Sequence, residues 1–174
     1  MNPLQNVLLE KLTLNIGVGE GGEKLQNAKT LLETISGGTA VVTKARVRNP
    51  TFKIRKGDPI GVKVTVRGKP AEELLRRALD AVEFIVSPKS FDNNGNVSFG
   101  VREYIDFPGV QYEPKIGMLG FDVCVTLEKP GKRVAFRKIK ASRIGRKQTV
   151  SRPEAQEFLR QKFGVKSGAE EEAE

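Results

Sequence analysis

Histidine and tryptophan are absent from the chain, and cysteine occurs once, at Cys124. Without histidine the protein lacks the usual general base near neutral pH and the commonest metal ligand. One cysteine can neither close an internal disulfide nor build a zinc site, and it suits a reducing compartment such as the cytosol. Long apolar runs are missing too. No stretch approaches the roughly 20 apolar residues of a membrane span. The opening MNPLQNVLLEKLTLN has no basic segment followed by an apolar run, and no amphipathic membrane helix or lipidation signal is present. The expectation is a soluble, cytosolic protein with no membrane partner.

Acids are scarce where bases are dense. Thirty Lys and Arg face 21 Asp and Glu, a net charge of +9, and four of those acids sit in the last seven residues, GAEEEAE. The body is therefore more basic than the total suggests, and such a body repels itself unless a polyanion lies nearby. With 174 residues and 38% hydrophobic content there is material for one ordinary core. The organisation expected is a single domain over residues 1–166, with a basic extension over 129–166 and a disordered acidic tail over 167–174.

Period-2 alternation predicts strands over 8–18, with Leu12, Leu14, Ile16 and Val18 opposite Lys11, Thr13 and Asn15, and over 60–67 and 121–127. Another strand is expected in TAVVTKARV and another in VSFGVREYI, after the turn FDNNGN. Apolar residues at three- and four-residue spacing predict helices over 23–35 and 71–86. Ser151 and Glu154 form a capping box ahead of a short C-terminal helix. Strands with one polar side, interrupted by helices, define an α+β protein: an antiparallel or mixed sheet with helices packed on one face and the other face open and basic.

Gly17, Gly19 and Gly22 spell GxGxxG, the spacing of a dinucleotide loop. The preceding strand is half polar, though, and basic Lys44 and Arg46 stand where an acid belongs, so the motif is read as a glycine turn. No cofactor, metal, catalytic residue or small-molecule substrate is expected. The basic residues carry the signal. Alternation places Lys63, Thr65 and Arg67 on one strand face, and Lys11, Thr13 and Asn15 on another. Together they suit phosphates and the hydrogen-bonding edges of sugar and base. Arg46, Arg48, Lys53, Arg55 and Lys56 crowd an exposed loop. The segment 129–152 holds ten Lys or Arg and no acid, among them Lys132, Arg133, Arg137, Lys138, Lys140, Arg143, Arg146 and Lys147. No recognition helix for duplex DNA is present, and base stacking would rest on little beyond Phe52. A structured RNA read by shape and backbone remains, with an RNA-processing factor or a free RNA chaperone as alternatives.

LTLNIGVGE, KARVRNPTFKIRKGDPIGVKVTVRG, FDNNGNVSFGVRE and IDFPGVQYE resemble, in order, the family of the fifth protein of the large ribosomal subunit, over residues 4–165. The basic extension and SRPEAQEFLRQKFG are more similar to its archaeal and eukaryotic branch. The resemblance implies a structural ribosomal protein that binds 5S rRNA and seats it in the central protuberance. It also implies contacts with large-subunit rRNA, P-site tRNA, small-subunit protein thirteen and neighbouring large-subunit proteins. By motif, Asn15, Phe52 and Thr65 fall at 5S contact positions, and Arg46 to Lys56 on a tRNA-facing loop. Gly38 stands where bacterial members carry Gln. The loop is expected to be mobile in the free protein and ordered by RNA.

Overall fold

The computed structural model describes residues 3–167. Strand β1 (Leu8–Gly17) is followed by helix α1 (Glu23–Ser36), then β2 (Val41–Lys44), β3 (Pro59–Val66), α2 (Lys69–Asp80), β4 (Ile85–Val86), β5 (Val97–Val101) and β6 (Phe121–Glu128). The one-turn α3 (Arg133–Phe136), α4 (Arg152–Phe163) and β7 (Lys166–Ser167) complete the described chain. Five strands form an open antiparallel sheet in the order β2-β3-β1-β6-β5, and β4 pairs in parallel with β7. The α+β architecture is as the alternation of strand and helix patterns predicts.

The described residues fall into two compact units. One contains Thr13–Val66 and Gly100–Val123, the other the remaining described residues. The first buries Leu14, Ile16, Val62, Val64, Phe121 and Val123 with Leu25, Ala28, Leu31, Leu32 and Ile35 of α1. Phe107 meets Phe121 edge to face, the centroids 5.8 Å apart. The second buries Leu12, Val97, Val125 and Leu127, together with Ala71, Leu74, Leu75, Ala78 and Leu79 of α2 and Ala155, Leu159 and Phe163 of α4. Along β1, β5 and β6 the buried residues are apolar and lie on one side, and the alternate residues are exposed or half-buried.

Three local readings change. Helix α2 stops at Asp80, not at 86: Glu83 and Phe84 adopt left-handed φ of 55° and 58°, and Phe84 N–H closes the end onto Leu79 O at 2.8 Å. The apolar period runs on because Val86 is still buried, but in a strand, where Lys166 N–H donates to Phe84 O at 2.8 Å. Tertiary pairing overrides helical spacing there. The same pairing holds the Ser167 backbone in β7, at the first position of the tail read as disordered over 167–174; residues 168–174 lie outside the described residues. Strand β2 is shorter than TAVVTKARV because its register with β3 slips between Thr43 and Lys44.

Gly61 shows how closely the strands approach. A Cβ there would lie 2.6 Å from Ile16 O and 3.0 Å from Thr43 Oγ1, so no larger residue fits without moving backbone.

Candidate RNA interface

In the first unit the solvent side of β3 presents Lys63 and Thr65, both exposed, and β1 beside it presents half-buried Thr13 and Asn15. The Thr13 and Thr65 hydroxyls lie 3.5 Å apart, which fixes the two strands' polar residues side by side. Val41 faces Lys63 across the β2-β3 ladder and is 57% exposed; sequence reading missed it because an exposed valine on an edge strand has no signature. Lys63 has no ion-pair partner among the described residues.

The loop after β2 is a hydrogen-bonded hairpin. Ala45 and Gly57–Asp58 pair at its base, with Ala45 N–H to Asp58 O at 2.8 Å and Gly57 N–H to Ala45 O at 2.9 Å. Asn49 and Ile54 exchange backbone bonds of 2.9 and 3.0 Å. The Asn49 side-chain oxygen accepts from Thr51 N–H, and the Asp58 carboxylate accepts from Arg55 N–H at 2.7 Å. That carboxylate is thus engaged with backbone. Arg46, Arg48, Lys53, Arg55 and Lys56 are all exposed, and no ion pair to any of them occurs among the described residues. Val47 and Phe52, 76% and 72% exposed, stand among them.

The GxGxxG turn is not a phosphate cradle over its whole length. Val18 and Gly19 N–H groups both donate to Ile60 O, at 3.0 and 2.8 Å, so these amides tie β1 to β3. Gly38, at the end of α1, donates its N–H to Ser36 Oγ at 3.1 Å.

In the second unit Arg67 is exposed just past β3, whereas Lys11 is half-buried, its ammonium 3.7 Å from Glu10. The basic extension divides its cations between two jobs. Lys129 is buried and clamps both Glu154 oxygens at 2.8 and 2.9 Å, also reaching Thr149 O at 3.4 Å. Glu154 in turn accepts from Ser151 N–H at 2.9 Å, completing the capping box of α4. The Lys129 hydrogen bond, then the Ser151 N–H, hold the Glu154 carboxyl below the ordinary glutamate range. Lys132 pairs with Glu10 at 2.9 Å and Glu128 at 3.8 Å. Burial pushes Glu10 up, but the Lys132 hydrogen bond and the charges of Lys132, Lys11 and Arg67 outweigh it, and its carboxyl is lowered. Arg133, Arg137, Lys138, Lys140, Arg143, Arg146 and Lys147 remain exposed. Glu154, the partner of Lys129, and Glu10, the nearer of the two acids on Lys132, are 25 and 122 positions away in sequence, so neither pair has a local signature.

Among the described residues no cluster of acids, cysteines or histidines could hold a metal ion, and no helix is long and apolar enough to cross a membrane. An exposed polar strand face, a cationic hairpin and a basic extension carry the chemistry that attracts a polyanion.

Comparison with known proteins agrees. The profile described as "Ribosomal protein L5" matches residues 2–55, and the profile for the C-terminus of the same ribosomal family matches residues 59–158. Proteins named large ribosomal subunit protein uL5 are similar along nearly the whole chain. The one from Sulfurisphaera tokodaii is 51% identical over 166 residues, covering 95% of this chain and 94% of the relative. Those from Methanococcus vannielii and Methanosphaera stadtmanae are 49% and 45% identical, covering 94% and 95% of this chain and 92% and 98% of their own. The chain belongs to the ribosomal protein L5 family. It is a structural protein of the large ribosomal subunit and not an enzyme; its partners are ribosomal RNA and other ribosomal components, and it works in the cytoplasmic ribosome.

Proposed function

We propose that the chain binds 5S rRNA and attaches it in the central protuberance, using the polar face of β1 and β3 as its main contact. The observation that carries this is the pairing of Thr13 and Thr65 beside Lys63 and Asn15 on strand residues whose alternates are buried in the core. A rigid surface of this kind loses little conformational entropy when it docks on fixed phosphates. Lys11 and Arg67, in the other unit, are further cations for 5S rRNA, and Phe52 offers a ring at the hairpin tip. Arg46, Arg48, Lys53, Arg55 and Lys56 reach toward P-site tRNA, the hairpin ordering further when it meets RNA. Large-subunit rRNA engages the exposed cations of the extension, and small-subunit protein thirteen and neighbouring large-subunit proteins complete the surroundings.

Filter binding of 5S rRNA against an unrelated RNA hairpin, at several salt concentrations, tests the reading. A specific partner keeps an affinity gap after the shared salt-dependent attraction has been weakened. Equal affinities at every salt concentration would reject it in favour of a general RNA chaperone.

A further inference from the structure

The sharpest feature outside the β1-β3 face is a small knob on the extension. Helix α3 is a single turn closed by Arg137 N–H on Arg133 O at 2.9 Å, and Ser142 N–H returns to Val134 O at 3.1 Å. The Arg137 guanidinium Nε–H donates to Lys140 O at 2.7 Å, stapling a turn in which Lys140 is left-handed with φ of 55°. The loop is therefore held in shape by its own bonds. What it presents is apolar: Phe136 is 73% exposed and Ile139 76% exposed, with exposed Arg133, Arg137, Lys138 and Lys140 beside them in the chain.

Lys132 explains why the ring is kept in place. Its ammonium, fixed by Glu10 at 2.9 Å and Glu128 at 3.8 Å, lies 5.8 Å from the Phe136 ring centroid. A cation held over a ring orients it and leaves the remainder free. Lys132, although read from sequence as an RNA ligand, thus acts as a strut between Glu10 and Phe136.

We infer that Phe136 is a stacking platform for an unpaired RNA base, with Arg133, Arg137, Lys138 and Lys140 neutralising the flanking phosphates. The inference rests on the reading of the extension as an RNA surface and deepens it. An exposed ring within a dense cationic rim matches single-stranded RNA, which offers a flat apolar face between two negative charges. A protein partner would have to strip water from four cations to reach two apolar side chains, and the segment 129–152 supplies no acid to offset that.

The full chain is tested by fluorescence anisotropy with a short oligoadenylate and a blunt RNA duplex of equal length. Phe136→Ala is expected to weaken oligoadenylate binding about tenfold without altering its salt dependence, and to leave the duplex unaffected. The chain contains no tryptophan, so Phe136→Trp provides a lone reporter whose emission should be quenched by oligoadenylate and not by the duplex. Unchanged oligoadenylate affinity in Phe136→Ala, equal loss on both RNAs, or an unquenched Trp on bound oligoadenylate would overturn the stacking role. The wider reading fails separately: if Arg137→Ala combined with Lys138→Ala also binds both RNAs as the parent does, the extension is not an RNA surface.

Discussion

The hairpin after β2 and the segment 129–152 are comparably rich in positive charge, yet the fold uses their cations in different ways. All five hairpin cations are exposed, and the one acid at its base, Asp58, accepts from the Arg55 backbone. In the extension, Lys129 and Lys132 are drawn inward to Glu154 and to Glu10 and Glu128. Charge density in a sequence therefore overstates the binding surface wherever acids from distant segments converge on it. What separates the two regions is the supply of carboxylates by the surrounding fold, and the variants below test that division.

The largest effect should come from Lys129→Ala. It removes a buried ammonium, frees Thr149 O and leaves Glu154 bonded only within its own cap. Breaking a fully buried pair costs about 3–5 kcal/mol; with Glu154 still 42% exposed, about 2 kcal/mol is expected here. Urea unfolding measures this, and a change below about 0.5 kcal/mol, the range of ordinary surface substitutions, would show that Lys129 is not a structural cation.

Next in size is a pH effect at the extension's anchors. The folded state lowers the Glu154 and Glu10 carboxyls below their usual 4.5. Groups shifted down contribute stability above the unfolded value and lose it as the pH falls through the folded one. Thermal unfolding should therefore show a loss below pH 4.5 that Glu154→Gln reduces. A Glu154→Gln protein with the parent's acid profile would refute the assignment.

How far this organisation could be read from the sequence differs by region. The β1 and β3 faces were legible because strand alternation is local: Leu12, Leu14 and Ile16 point one way, Lys11, Thr13 and Asn15 the other. The capping box was legible because its two residues are three apart. The end of α2 was not, since Glu83 and Phe84 turn left-handed without a glycine, and the pairing that favours this lies about 80 residues on, in Lys166–Ser167. The Lys132–Glu10 pair was not legible for the same reason, Glu10 being 122 positions away in β1. Phe136 went unnoticed because a lone phenylalanine beside an alanine and a valine reads as core until its exposure is known.

A smaller effect separates the two regions by affinity. Lys63→Ala removes an exposed cation with no acid partner, so it should weaken all RNA binding by about 1 kcal/mol and reduce the salt slope by about 1. Lys132→Ala should leave the salt slope near the parent value, because that charge is already neutralised by Glu10 and Glu128. Equal slopes for the two variants, measured by filter binding, would erase the distinction between free and consumed cations.

The smallest expected change is also the most specific. Asn15 and Thr65 carry no charge, so Asn15→Ala or Thr65→Ala should leave the salt slope intact and cost roughly 1 kcal/mol on 5S rRNA alone, the value of one hydrogen bond to base or sugar. Thr65 sits within 3.5 Å of Thr13 on the neighbouring strand. Thr13→Ala and Thr65→Ala should therefore combine to less than the sum of their separate effects if both hydroxyls serve one RNA group. Strict additivity would mean that they contact RNA independently. A loss shared with an unrelated hairpin would mean that this face attracts RNA without discriminating among RNAs.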